Sequence, residues 1–184
     1  MQISKFEIEG LLLLEPHLFE DNRGFFYESY NAKKYNEILG DGSDFVQDNI
    51  SVSKKHVLRG LHFQKSPFGQ GKLVTVLNGK VLDVAVDIRL NSKTFGQHQA
   101  VELSAENKRQ FWIPPGFAHG FIALEEETLF SYKCTNYYSP EHEKTLLWND
   151  PILAIDWGGV SNPIISEKDL FGQLFQDYKE EIKH

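Results

Sequence analysis

The stretch Arg59-Gly60-Leu61-His62-Phe63-Gln64 sets a guanidinium and an imidazole among Leu58, Leu61 and Phe63, in a run that otherwise suits a buried strand. An unperturbed imidazole titrates near pH ~6.5, so His62 can accept a proton at neutrality. Taken by itself, a histidine in an apolar strand is more often a hydrogen-bonded core residue. Arg59 and His62 also have opposite parity, so an ideal strand cannot aim both at one side; Gly60 between them is where a bulge would re-aim the chain. Asp169 closes Ser166-Glu167-Lys168-Asp169, a capping-box pattern in which its carboxylate would accept from the Ser166 backbone N–H. Asp83 and Asp87 share one face of the run 83–89, where Asp83 could support His62 or both could be solvated at strand ends. Cys134 has no visible base or second thiol beside it and is read as packing.

Strands must position these groups. Runs at 25–30, 45–53, 57–63, 109–113, 120–124 and 128–138 carry the β-branched and aromatic character of strands. Two β-branched runs within 72–89 flank Asn78-Gly79, the pair favoured in a type I′ turn, which predicts a long hairpin. On strand parity Gln47 and Asn49 share one face, and Tyr132, Cys134, Asn136 and Tyr138 share another. Helices look minor: one after Asn31 running to a Gly40 stop, and one from the Ser166 cap to the run ending KEEIK. The segment 40–44 is a loop by composition. Short strands at this spacing predict an all-β barrel or sandwich decorated by helices.

The chain has 184 residues, 41% hydrophobic and 13% aromatic, which fits one globular domain spanning 1–184 with ample core. A net charge of -7 and a pI near 5.5 oppose nucleic acid or an anionic membrane surface as the main partner. Any bound anion must be held by a local cationic cluster. One cysteine excludes an internal disulfide, and the first ten residues lack the long apolar run of a signal peptide or membrane span, so a cytoplasmic location is expected.

The pattern P-x-G-x-x-H in IPPGFAHGF, 113–121, resembles the second signature of the cupin jelly-roll barrels, with the Pro-Gly turn aiming His119 inward. Many cupins hold a metal through H-x-H, a nearby glutamate and this later histidine. Here His62 is followed by Phe63 and Gln64, and Gly69-Gln70-Gly71-Lys72 fills the place of the glutamate. A lysine there is poor design for a metal site and good design for an oxyanion, so no metal or other cofactor is expected.

The blocks EDNRGFFYESY, VQDNISVS, VLRGLHFQ, QGKLVTVLNGKVLDVAVDIRLNSKTFG, IPPGFAHGF, YKCTNYYSPEHE, WNDP and SEKD, in that order, resemble the dTDP-4-dehydrorhamnose 3,5-epimerase family within the cupins. Two positions depart from its pattern: Ile50, where histidine is common after QDN, and Gly158, where proline often follows Trp157. The resemblance implies a cupin-type jelly roll that inverts C3 and C5 of dTDP-4-dehydro-6-deoxy-D-glucose, giving dTDP-4-dehydro-L-rhamnose. Carried over by match, His62 is the base, Asp169 orients it, Lys72 faces the enolate oxygen and Tyr132 is the acid. The same match assigns Arg23, Glu28, Gln47, Asn49, Arg59, His119, Tyr138, Glu143 and Lys168 to substrate binding, with Tyr138 stacking on thymine. It also implies a homodimer whose N-terminal strand reaches the partner's site, bringing Arg23 and Glu28 across an interface. Alternatives are an epimerase acting at C3 or C5 alone, a 3,4-ketoisomerase on a similar barrel, and a sugar-nucleotide-binding cupin without turnover.

Overall fold

The computed structural model describes residues 1–40 and 43–183. In chain order its elements are β1 (Gln2–Lys5), β2 (Leu12–Glu15), β3 (Phe19–Asp21), β4 (Gly24–Phe26), α1 (Ala32–Leu39), β5 (Gln47–Ser53), β6 (Val57–Gln64), β7 (Lys72–Asn78), β8 (Lys80–Asp87) and β9 (His98–Ser104). They continue as β10 (Gln110–Ile113), β11 (Phe117–Ala123), β12 (Thr128–Cys134), β13 (Glu143–Thr145), β14 (Ile164–Ile165), α2 (Glu167–Leu170) and α3 (Phe175–Glu181). One sheet runs β1-β2-β10-β7-β12-β5 and a second β13-β6-β11-β8-β9, with β14 added parallel to β6; β3 and β4 pair only with each other. This is the all-β, cupin-type jelly roll with a few short helices that the sequence predicts. No helix among the described residues is long and apolar enough to cross a membrane.

The two sheets face each other over a core drawn from both: Val74, Val76, Phe111, Ile113 and Phe130 from one, Val81, Ala85, Leu103, Phe117 and Phe121 from the other. The outer face of the second sheet is buried as well, where Leu58, Leu61, Phe63, Val84, Val86 and Ile122 meet Leu153, Trp157, Phe175 and Tyr178 of the C-terminal segment. Burial on both faces explains the nearly continuous apolar runs of β8 and β11. Tyr35 of α1 covers the first sheet beside Leu14, Leu73 and Trp112, and its hydroxyl donates to Gln110 Oε1 at 2.6 Å. Asn31 caps α1 by accepting from the Lys34 N–H, and Gly40 ends it at φ 87°. Asp41 and Gly42, within the expected 40–44 loop, lie outside the described residues.

Four sequence expectations are corrected. The runs either side of Asn78-Gly79 do not form a hairpin: β7 pairs with β10 and β12, while β8 pairs with β11 and β9. The chain switches sheets there. Only Gly79 takes positive φ, whereas a type I′ turn needs it at both central residues. A β-carbon on Gly79 would fall 2.5 Å from Thr128 Oγ1, so this glycine serves a close crossing against β12. The expected strand 25–30 stops at Phe26, and 128–138 stops at Cys134. The single C-terminal helix is two, α2 and α3, separated by residues 171–174. The N-terminus of α3 is tied down by buried Asp150 of the WNDP block, whose carboxylate accepts from the N–H groups of Phe175, Ile152 and Leu153.

Candidate active site

The ladder between β6 and β11 pairs His62 with His119 and Arg59 with Phe121, so three steps along β6 match two along β11. That is the bulge expected at Gly60. Gly60 has φ 136°, and a β-carbon on it would come within 2.5 Å of Gly120 Cα, so glycine is required there. The extra residue reverses the alternation of side chains. Leu58, Leu61 and Phe63 consequently all pack into the outer core, while Arg59 and His62 both line a cavity of about 550 Å³ between the sheets.

β14 runs beside β6, pairing Ile164 with Val57 and Ile165 with Leu58, and so delivers α2 next to the bulge. Asp169 of α2 lies 2.6 Å through Oδ1 from His62 Nε2, and its Oδ2 accepts from the Gly60 N–H at 3.3 Å. Its residue is only 3% exposed. Burial pushes its carboxyl up, but hydrogen bonding and charge from His62, with the Gly60 N–H, outweigh this and hold it below the usual carboxylate range. The capping box is thus half formed: Ser166 Oγ accepts from the Asp169 N–H, whereas the Asp169 carboxylate serves the histidine instead of the Ser166 backbone.

Lys72, at the start of β7, lines the same cavity and has no salt-bridge partner among the described residues. Burial lowers its pKa, and the nearby Cys134, Asp83 and Glu143 resist that shift. His119 also lines the cavity, with Nε2 at 3.0 and 2.9 Å from the two carboxylate oxygens of Asp83. Burial depresses its pKa, opposed by that carboxylate. Asp83 therefore neither supports His62 nor sits solvated at a strand end: it is fully buried and belongs to His119. Asp87 is equally buried, binding Arg89, Ser92 and Thr94. Tyr132 of β12 is half-buried and lines the cavity, with its phenol raised chiefly by burial; its hydroxyl makes no hydrogen bond among the described residues. Cys134 is buried and accepts a contact from Asn49 Nδ2 at 3.7 Å. Among the described residues no three His, Cys, Asp or Glu side chains gather as a metal-holding group.

The remaining sequence candidates divide into two sets. Arg59 is held by Ser53 Oγ at 3.1 Å and the Val52 carbonyl at 3.3 Å. Lys168 lines the cavity and pairs with Glu143 at 2.5 Å; Glu143 in turn accepts from the Tyr138 hydroxyl at 2.7 Å. Gln47 accepts from the Tyr138 backbone N–H and donates to Asn49, so Lys168, Glu143, Tyr138, Gln47 and Asn49 form one polar network beside the cavity. Tyr138 joins it from beyond the end of β12, by a loop and not by the strand alternation expected for it; its ring is half exposed. Arg23 and Glu28 are not brought to the cavity. Arg23 sits on the β3–β4 hairpin, its side chain 85% exposed, and pairs with Asp21; Glu28 pairs with Lys34. The hairpin bonds to neither large sheet, and it exposes Phe19, Phe25 and Phe26.

Sequence reasoning missed Ser51, Ser53 and the role of Asp83. The two serines continue the inward alternation of Gln47 and Asn49 along β5, so parity was a sufficient signal for them. Nothing local indicates the partner of Asp83.

Residues 5–177 match a family described as dTDP-4-dehydrorhamnose 3,5-epimerase. The chain is 56% identical over 174 residues to the dTDP-4-dehydrorhamnose 3,5-epimerase of Salmonella typhimurium strain LT2, covering 95% of each chain. Its structure resembles that of a dTDP-6-deoxy-D-glucose-3,5-epimerase from Legionella pneumophila in complex with dTDP-4-keto-L-rhamnose, with a TM-score of 0.91 and 55% identity over 95% of this chain and 93% of that one. It also resembles a 3′-monoepimerase from Streptomyces bikiniensis in complex with dTDP-quinovose, with a TM-score of 0.89 and 30% identity over 97% of this chain and 89% of that one.

Proposed function

The chain belongs to the dTDP-4-dehydrorhamnose 3,5-epimerase family, and from that premise we propose that this epimerase inverts C3 and C5 of dTDP-4-dehydro-6-deoxy-D-glucose through an enolate. The observation that carries this reading is the His62–Asp169 pair at 2.6 Å, opening on the same cavity as Lys72 and Tyr132. The C4 carbonyl acidifies the protons on both neighbouring carbons. With Nε2–H given to Asp169, Nδ1 of His62 holds the ring's free lone pair and takes the proton. The C–H electron pair moves onto O4, where the Lys72 ammonium stabilises it. The pair then returns to carbon, which takes a proton from the Tyr132 hydroxyl on the opposite face. Solvent resets the imidazolium and the phenolate, and the cycle serves the second carbon likewise.

Arg59 and Lys168 supply the local cations that a diphosphate needs on a chain of net charge -7. The half-exposed Tyr138 ring offers the thymine a stacking face. Residues 1–184 act as one domain, and the protein works as a homodimer in which the β3–β4 hairpin of one protomer carries Arg23 and Glu28 to its partner's cavity. The exposed phenylalanines of that hairpin and its lack of bonds to the large sheets support this arrangement.

Turnover in heavy water tests the reading. Wild type is expected to place deuterium at both C3 and C5 with inversion at each. Label at one carbon alone would make the enzyme a monoepimerase, and no label would make it a binding protein. In Tyr132→Phe the base and oxyanion clamp remain, so the enolate forms and His62 returns the proton, after exchange, to the face it left. The sugar recovered should be labelled but not inverted; inversion as fast as exchange would remove Tyr132 from the mechanism.

A further inference from the structure

Ser51 Oγ is the only buried side-chain polar atom among the described residues that lacks a hydrogen-bond partner. It lines the cavity that holds His62, Lys72 and Tyr132. The other inward side chains of β5 are engaged: Gln47 with Asn49, Asn49 with Cys134, and Ser53 with Arg59. Opposite Ser51 in the ladder stands Phe130, fully buried and stacked on Phe121 at 4.1 Å, so the side chain that faces it has nothing to offer the hydroxyl. A buried hydroxyl without a partner is costly, and natural structures retain one chiefly where something else completes it.

Position and chemistry identify that something. Along β5, Ser51 lies between Ser53, which holds the cation Arg59, and Asn49, which pairs with Tyr132 in the ladder. A ligand with its diphosphate at Arg59 and its reacting carbon at Tyr132 therefore sets the intervening atoms beside Ser51. Charged and carbonyl oxygens have Arg59, Lys168 and Lys72 to bind; a serine hydroxyl, which both donates and accepts, suits a neutral alcohol. We propose that Ser51 Oγ hydrogen-bonds the C2 hydroxyl of the hexose, the carbon between the diphosphate-bearing C1 and the reacting C3, and so selects against 2-deoxy sugars. This rests on the reading of the cavity as a dTDP-hexose site.

Calorimetric titration with dTDP, dTDP-glucose and dTDP-2-deoxyglucose tests it. Wild type should bind dTDP-glucose about 3- to 10-fold more tightly than the 2-deoxy analogue, the range for one neutral hydrogen bond. In Ser51→Ala that ratio should fall to one, with dTDP affinity retained and Tm of the free protein not lowered. A ratio that survives in the variant, an equal loss of dTDP affinity, or a lowered Tm would each overturn the assignment, the last by revealing a structural partner. Wild-type exchange in heavy water is measured alongside. Failure of that exchange with dTDP-glucose still bound sinks the epimerase reading alone, absence of any dTDP-glucose binding sinks both, and normal exchange with an unchanged ratio in Ser51→Ala sinks the serine's role alone.

Discussion

Replacing Asp169 by Asn isolates what the carboxylate does for His62. The substitution keeps the shape of the side chain and an oxygen for the Gly60 N–H, while removing a charge that lies 2.6 Å from the ring and is almost wholly buried. When His62 takes a proton, imidazolium and carboxylate face each other with charge centres about 4 Å apart, worth about 4 kcal/mol at an effective dielectric constant of about 20. Most of that stabilisation is absent before proton transfer, so its loss falls on the barrier and lowers kcat by about 10³-fold. Because Asp169 acts through His62, binding should hardly change. The assay is turnover and solvent-deuterium uptake under saturation, with calorimetric affinity for dTDP and Tm measured on the same preparation. Deuterium uptake at C3 and C5 should fall in step with kcat while dTDP affinity stays within about twofold, a change under ~0.4 kcal/mol. A kcat loss below about tenfold, or one matched by lost dTDP affinity, would refute the reasoning and return Asp169 to a part in holding α2 against β6.

Tyr138→Ala removes the half-exposed ring and its bond to Glu143, so KM should rise by the equivalent of about 1–3 kcal/mol with kcat nearly kept; unchanged affinity for dTDP would exclude stacking. Asp87 predicts the acid behaviour: although burial raises its carboxyl, Arg89, Ser92 and Thr94 bring it down to about 2 from 3.8. A depressed carboxyl stabilises the fold above its unfolded pKa, and that stabilisation disappears as pH falls through the folded value. Urea unfolding of Asp87→Asn should therefore show a loss of about 2 kcal/mol at neutral pH that shrinks between pH ~4 and ~2; a difference independent of pH across that window would mean the carboxylate is not the source.

The site was legible to different depths along the chain. At β6 the conflict between the parities of Arg59 and His62, with a glycine between them, was enough to locate the bulge, because side-chain alternation is a local property of extended backbone. The same rule applied to β5 reaches Ser51 and Ser53, whose value becomes visible only once Arg59 and the cavity stand beside them. It failed for Tyr138, since the strand ends at Cys134 and the loop beyond sets the ring by bonds to Gln47 and Glu143. Asp169 had two local roles open to it, and the parallel pairing of β14 with β6 brings its carboxylate to His62.

The sequence by itself determined the all-β class, the helix after Asn31 with its Gly40 stop, and the histidine, lysine and tyrosine that the cavity brings together, because composition, alternation and ordered motifs need no knowledge of distant neighbours. Which edges the strands took was decided by tertiary competition. Asn78-Gly79 is a sound local turn signal, yet β7 gains both β10 and β12 and β8 gains β11 and β9, more ladder than a two-stranded hairpin offers either. Likewise the choice of Asp83 for His119 and of Asp169 for His62 joins residues 36 and 107 positions apart. Such pairings depend on how a closed pair of sheets stacks its inner faces, a property of the whole barrel that no window of sequence contains.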